Sequence, residues 1–208
     1  MARQTRQRIL EASLVMFNAQ GEPNVTTNHI ADELEISPGN LYYHFRNKDD
    51  IIEQLFAGYE ARMDVALTAP EGRLPGLEDI WLQLHQVFEC IWDYRFLYRD
   101  LVNILSRNRR IRLRFARILK RADERAHTVM RGLVQAGIMR ASADEVHAAA
   151  TNVLVIATFW MNYAAARGDK DEQVSIRAGI VQVMMSVAPF LRDAERVHLN
   201  TLTRAYID

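Results

Sequence analysis

The sequence predicts an all-α protein, and three observations carry that expectation. Glycine and proline are scarce, 9 and 5 in 208 residues, and most of them fall between segments rather than inside them. Apolar residues recur at the i, i+3, i+4 and i+7 spacing of a helix face. No stretch alternates apolar and polar residues between hairpin turn signals, so strands are not expected. About nine helices account for the chain: a small three-helix unit at the N-terminus and a larger helical domain after it.

The first predicted helix runs from about Thr5 to Gln20, with Ile9, Leu10, Ala12, Met16 and Phe17 on its apolar side. Gly21 caps it, and Glu22-Pro23-Asn24 forbids continuation. Thr26 or Thr27 begins the second, which buries Ile30, Ala31 and Leu34. Ser37 caps a short third helix, from Pro38 to about Tyr43, and proline suits its first turn. Asn47-Lys48-Asp49 opens a fourth that reaches about Leu67. Thr68 to Gly76 is the most loop-like stretch of the chain. Five more helices follow, at about 77–94, 96–106, 109–136, 143–167 and 170–192, with Gly137 and Gly168 separating the last three. Residues 1–48 thus form one unit, the helix at 49–67 connects, and 68–208 form the second domain.

The composition narrows the function. Hydrophobic residues make up 49% and charged residues 25%, as in an ordinary globular chain. Lys+Arg and Asp+Glu are equal at 26 each, so any DNA-binding surface must come from local placement of charge. Cys90 is the only cysteine, which excludes a disulfide framework and a cysteine zinc site within one chain and fits a reducing cytoplasm. The N-terminus lacks the apolar run of a signal peptide, and the most apolar stretch, Val153–Trp160, is too short for a membrane span. The six histidines (29, 44, 85, 127, 147 and 198) show no short metal-ligand spacing. No nucleophile-elbow, phosphate-loop, dinucleotide or zincin motif is present, so neither catalysis nor a cofactor is expected.

Two short helices joined by a tight turn, a third packed on them and a long helix after them describe a helix-turn-helix unit. In such a unit the recognition helix enters the major groove with its N-terminal residues at the base edges. Here that end is Ser37-Pro38-Gly39-Asn40. Gly39 lets backbone approach DNA closely, and Asn40 offers an amide to a base edge or a phosphate. Tyr42, Tyr43 and His44 supply donors for phosphate oxygens. Lys48, Thr26 and Thr27 lie at helix starts where a phosphate can meet backbone amides, and Arg3 and Arg6 can reach an adjacent backbone or minor groove. Each has a plainer reading as well. Thr26 and Ser37 are also helix caps, His44 is equally a structural donor, and one of Tyr42 and Tyr43 should be half-buried. Residues 1–48 hold five basic residues (Arg3, Arg6, Arg8, Arg46, Lys48) against five acids (Glu11, Glu22, Asp32, Glu33, Glu35), so binding should depend on dimerisation.

The stretch TRQRILEASLVMFNAQGEPNVTTNHIADELEISPGNLYYHFRNKDDI closely resembles the DNA-binding domain of the TetR (tetracycline-repressor-like) family. Ile9, Ala12, Phe17, Gly21, Thr26, Ile30, Ala31, Leu34, Ser37, Gly39, Leu41, Tyr42, His44, Phe45, Lys48 and Ile51 carry the match. The segment YRFLYRDLVNILSRNRRI also resembles a subgroup of these regulators that includes the regulator of polyhydroxyalkanoate genes. The resemblance implies a cytoplasmic, ligand-released repressor that binds double-stranded DNA at a palindromic operator as a homodimer. It also implies a C-terminal domain that binds a small effector and dimerises.

The predicted helices at 143–167 and 170–192 suit dimerisation. The latter carries Ile176, Ile180, Val183, Met184, Val187 and Leu191 as a stripe. The former is apolar nearly all round and needs cover on both faces. A largely apolar effector is expected among Phe88, Trp92, Leu105, Met130, Leu133 and Phe159, with Asn152, Thr158 and Asn162 as polar groups; plain core is the competing reading of the same aromatics. Residues 99–125 hold ten basic residues against three acids, which fits a solvated face better than a second DNA surface. A ligand-blind architectural DNA binder, and a helical enzyme or carrier with a vestigial N-terminus, are the alternative functions.

Overall fold

In a computed structural model the described residues are 2–68, 76–169 and 171–204. They form eleven α-helices: α1 (Ala2–Gln20), α2 (Thr27–Glu33), α3 (Pro38–His44), α4 (Lys48–Ala66), α5 (Leu77–Asp93), α6 (Arg95–Arg99), α7 (Leu101–Arg107), α8 (Arg109–Gln135), α9 (Ala143–Arg167), α10 (Glu172–Val187) and α11 (Asp193–Arg204). Two 3-10 turns, Glu22–Asn24 and Ala188–Phe190, complete the set. No strand occurs among the described residues, only an isolated antiparallel bridge between Met139 and Leu191. The all-α expectation holds, with three revisions. The helix expected at 96–106 breaks at Asp100 into α6 and α7. The last expected helix stops at Val187, where Pro189 lacks the N–H that would continue it. A further helix, α11, follows. The loop expected across 68–76 and the helix start at Lys170 fall largely outside the described residues.

The described chain divides into two compact units, each treated by itself. The first holds the residues up to Arg62 together with Asp93–Ala116; the second holds Met63–Trp92 and the described residues from Arg117 onward. The N-terminal unit is therefore larger than the expected 1–48. Asn18 on α1 shows why. Its Nδ2 donates to the Asp93 carbonyl (2.8 Å), its Oδ1 accepts from the Phe96 N–H (3.1 Å), and its own carbonyl accepts from Arg99 (2.6 Å). Phe17 packs on Phe96 at 5.3 Å between ring centroids.

The same unit contains a fully buried carboxylate. Glu22 is 0% exposed, and its Oε1 lies 2.8 Å from both Lys48 Nζ and Arg107 Nη2. Neither Glu22 oxygen has a well-aligned hydrogen bond, so ion pairing is what offsets its desolvation. Lys48 also donates to the carbonyls of Glu22 and Val25, at 3.0 Å each. Two carbonyl hydrogen bonds and the ion pair to Glu22 thus engage the ammonium. This corrects the assignment of Lys48 to a DNA phosphate: its charge is committed inside the unit. Asp100 sits close by, and its carboxyl is raised above the usual range, first by burial and then by the Glu22 charge.

A band of ion pairs joins α4 to α8. In the first unit Arg110 pairs with Glu53 (3.4 Å) and Arg114 with Glu60 (2.6 Å); in the second Arg121 pairs with Asp64. Part of the basic run at 99–125 is therefore neutralised, while Arg109, Arg112 and Arg117 remain exposed. Between the ion pairs Phe115 is buried among Phe56, Tyr59 and Tyr98, with ring centroids 6.2–6.5 Å away.

In the second unit α9 packs on α10, and by length and composition α9 is long and apolar enough to cross a bilayer, which the Val153–Trp160 stretch alone did not suggest. One face of it, Val146, Ala149, Ala150, Met161 and Ala164, is instead buried in the protein. Of the stripe expected to dimerise, Ile176, Ile180, Val183, Met184 and Leu191 are core and Val187 is half-buried. Gly179 on α10 meets Trp160 and Phe88, and Trp160 Nε1 donates to the Ser175 carbonyl at 2.6 Å.

Two outcomes follow from this packing. A Cβ at residue 179 would stand 2.6 Å from Trp160 Cδ1 and 2.8 Å from Phe88 Cε1, so two rings must move. Gly179→Ala should cost about 1–2 kcal/mol after its helix-propensity gain, a fall of a few degrees in Tm; an unchanged melting curve would show that the rings have room. Lys48→Ala leaves a buried carboxylate with one cation fewer. It should cost about 3 kcal/mol, the low end for a broken buried pair because Arg107 remains. Urea denaturation reads this, and wild-type stability would show that Lys48 is not a structural tie.

Candidate DNA interface and effector cavity

The turn between α2 and α3 is closed by backbone. Ile36 N–H donates to the Ala31 carbonyl (3.0 Å) and Glu35 N–H to the Asp32 carbonyl (3.0 Å), the two bonds of a Schellman ending. Glu35 occupies the left-handed position, at φ 53°, where glycine is usual. Both short helices are capped by side chains. Thr26 Oγ1 accepts from His29 N–H (3.2 Å) while His29 Nδ1 accepts from Thr26 N–H (3.4 Å), and Ser37 Oγ accepts from Asn40 N–H (3.2 Å). The cap reading of Thr26 and Ser37 is therefore realised, and each remains exposed. Thr27 Oγ1 lies 3.0 Å from the Tyr42 hydroxyl and ties α2 to α3.

With Leu41 and Phe45 buried, α3 turns its other side outward. Ser37, Pro38, Gly39 and Asn40 are exposed, and Tyr43 is 80% exposed against 48% for Tyr42. A Cβ at Gly39 would meet only Ser37 Oγ at 3.9 Å, so the fold leaves its surface open. His44 is half-buried, with Tyr43 edge-on to it at 5.0 Å. The Arg6 guanidinium covers the Phe45 ring at 5.0 Å, and Arg3 is exposed on the same helix. Lys48 alone of the proposed contacts points inward. Arg46, which the sequence reading passed over, is exposed just beyond α3.

The second unit holds a partly open cavity of about 130 Å³. Its wall comes from α5 (Leu77, Ile80, Gln83, Leu84, Val87), α8 (Ala122, Arg125, Ala126, Val129, Met130, Leu133), α9 (Val153, Leu154, Ala157) and α10 (Val183, Met184, Val187), with Leu67, Leu191 and Leu199 at the ends. Gln83 and Arg125 are the polar members. Arg125 Nε donates to Gln83 Oε1 at 3.1 Å, and Gln83 Nε2 donates back to the Ala66 carbonyl at 3.1 Å. Burial lowers the Arg125 pKa below the usual guanidinium value, and the nearby charge of Asp79 opposes that shift.

Of the expected wall, Met130 and Leu133 line this cavity. Phe88 and Trp92 line a separate open groove between α5 and α10, of about 220 Å³, with His85, Glu89 and Arg177. Leu105 belongs to the first unit. Asn152 and Phe159 are exposed, and so is Asn162, while Thr158 is buried. The reason is helical phase. Residues 153, 154 and 157 face the cavity, and Asn152, Val155, Phe159 and Tyr163 form another side of α9. Gln83 and Arg125 were missed, although a lone arginine on the apolar face Ala122–Ala126–Val129–Leu133 was a readable signal. Among the described residues no group of three or more His, Cys, Asp or Glu is placed to hold a metal ion.

The chain matches two family models. Residues 9–55 match the TetR-family bacterial regulatory protein domain, and residues 58–199 match a bacterial transcriptional repressor domain. A crystal structure of a TetR-family transcriptional regulator from Marinobacter aquaeolei is 39% identical, with a TM-score of 0.88, over 97% of this chain and 98% of that one. An HTH-type transcriptional regulator of Pseudomonas putida, TtgW, is 34% identical over 71 residues, 34% of this chain and 53% of that protein. An HTH-type regulator of Staphylococcus aureus is 29% identical over 98 residues, 47% of this chain and 49% of its own length. The chain thus spans about half the length of the curated relatives it matches. The SmeT–triclosan complex, at 19% identity over 92% of this chain and 94% of that one and a TM-score of 0.60, shares the fold. A helix-turn-helix with its recognition face open, a helical second unit and two family models that together cover most of the sequence lead to one assignment: the chain belongs to the TetR family of bacterial transcriptional regulators.

Proposed function

We propose that the protein is a sequence-specific, ligand-released repressor that binds a palindromic operator as a homodimer in the cytoplasm. The observation that carries the reading is the open N-terminal side of α3, Ser37 to Asn40 with Tyr43. Tyr42, Thr26, Thr27, His44, Arg3 and Arg6 flank it as phosphate contacts. The apolar cavity of the second unit favours an effector-controlled regulator over a ligand-blind architectural binder. SmeT, which shares the fold, is known in complex with triclosan, and that supports an effector-binding reading. Release works by population shift: a tenfold loss of operator affinity needs an effector preference of about 1.4 kcal/mol between two states.

The dimer contact is assigned to the exposed apolar side of α9, Val155, Phe159 and Tyr163, with Met185 on α10. A monomer would leave these side chains in water.

Selection of operators from random DNA should return a palindrome with half-sites roughly one helical turn, about 34–36 Å, apart. Asn40→Ala should weaken that operator by about 1–3 kcal/mol and relax one base position per half-site, read by fluorescence anisotropy on variant operators. Equal loss on every sequence would move Asn40 to a phosphate. Gly39→Ala should leave or slightly raise Tm, because the helix gains alanine and nothing clashes, yet reduce operator affinity; unimpaired binding would show that DNA does not come close there. Phe159→Glu should give monomers in light scattering, and a persistent dimer would place the interface elsewhere.

A further inference from the structure

The geometry points to an effector with a single carboxylate: an amphipathic organic acid whose apolar body fills the apolar cavity of the second unit and whose carboxylate meets Arg125. This rests on reading that cavity as the effector site, and it adds a charged end to the largely apolar effector that the sequence suggested.

Four observations support it. The wall is apolar except at one place, where Gln83 and Arg125 stand together. Gln83 is itself fixed, donating to the carbonyls of Ala66 (3.1 Å) and Thr68 (3.4 Å), and its Oε1 then accepts the Arg125 Nε–H. The guanidinium is thereby oriented before any ligand arrives, with only Nε engaged, and its two Nη groups make no hydrogen bond among the described residues. Those groups form the planar fork that a carboxylate accepts with both oxygens. Among the described residues no acid is in ion-pair contact with Arg125, although the charge of Asp79 is felt there. The cation is partly desolvated without a salt-bridge partner, and an arriving anion supplies what the wall lacks. The volume, about 130 Å³, is slightly below that of apolar cavities that stay dry and bind benzene, so the body is about the size of one ring or a six-carbon chain.

The test compares matched acids and alcohols on the unmodified protein at pH 7.5: hexanoate with hexanol, and 3-phenylpropionate with 3-phenylpropanol, by titration calorimetry. Each acid should bind about ten- to a hundredfold more tightly than its alcohol, the range of a hydrogen bond to a charged group. Arg125→Met should abolish that preference, and Gln83→Leu should reduce it by leaving the guanidinium unoriented. An alcohol that binds as tightly as its acid, no binding by either, or an acid preference that survives Arg125→Met overturns the proposal. Operator binding, followed separately, distinguishes it from the functional reading. Acids that bind through Arg125 without releasing DNA uphold the anion site and sink the effector role. Alcohols that release DNA as well as the acids do uphold the effector role and sink the anion site.

Discussion

A carboxylate with no access to water organises the first unit. Removing the Glu22 charge from solvent costs several kcal/mol unless cations come with it. Two do, from segments far apart in sequence: Lys48 at the start of α4 and Arg107 at the end of α7. The turn after α1, the helix after the recognition helix and the α7 terminus are thus held to one point. The cluster also sets a pH dependence. The Asp100 carboxyl is raised in the folded protein by burial and by Glu22, so its ionised form destabilises the fold at neutral pH, and that cost is relieved as pH falls through the folded value.

With internal polar needs met in this way, the helix-turn-helix separates its residues by task. Thr26, Ser37 and His29 satisfy helix ends, Thr27 and Tyr42 tie α2 to α3, and Leu41 and Phe45 hold α3 down. Asn40 and Tyr43 have no such duty. The second unit separates its groups similarly: one arginine and one glutamine interrupt an otherwise apolar wall.

Local chemistry was legible in the sequence wherever the deciding partners are near neighbours. Caps at Thr26 and Ser37, the stop at Gly21 and the three-helix order depend on residues a few positions apart, and they were read correctly. Lys48 was not, because its partners Glu22 and Val25 lie 26 and 23 residues away and a lysine at a helix start suits a phosphate equally well. The cavity was half legible. Apolar composition identified Met130 and Leu133, but a helix that is apolar all round does not reveal which side faces inward, so Asn152 and Phe159 were assigned to the wrong side of α9. The stripe on α10 misled for the complementary reason: periodicity marks a buried face without saying whether its own chain or a second copy covers it.

The band of ion pairs between α4 and α8 has a property that its individual bonds conceal. Basic residues recur on α8 at 110, 114, 117, 121 and 125, close to once per turn. Displaced by one turn, about 5.4 Å, the helix would still offer Glu60 and Asp64 a cation, Arg110 and Arg117 in place of Arg114 and Arg121. Charge alone therefore tolerates several alignments, like a rack whose teeth are all alike. The choice among them falls to Phe115, which fits one socket between Phe56, Tyr59 and Tyr98. Sliding between these helices would have to proceed in whole teeth, with an aromatic ring as the pawl.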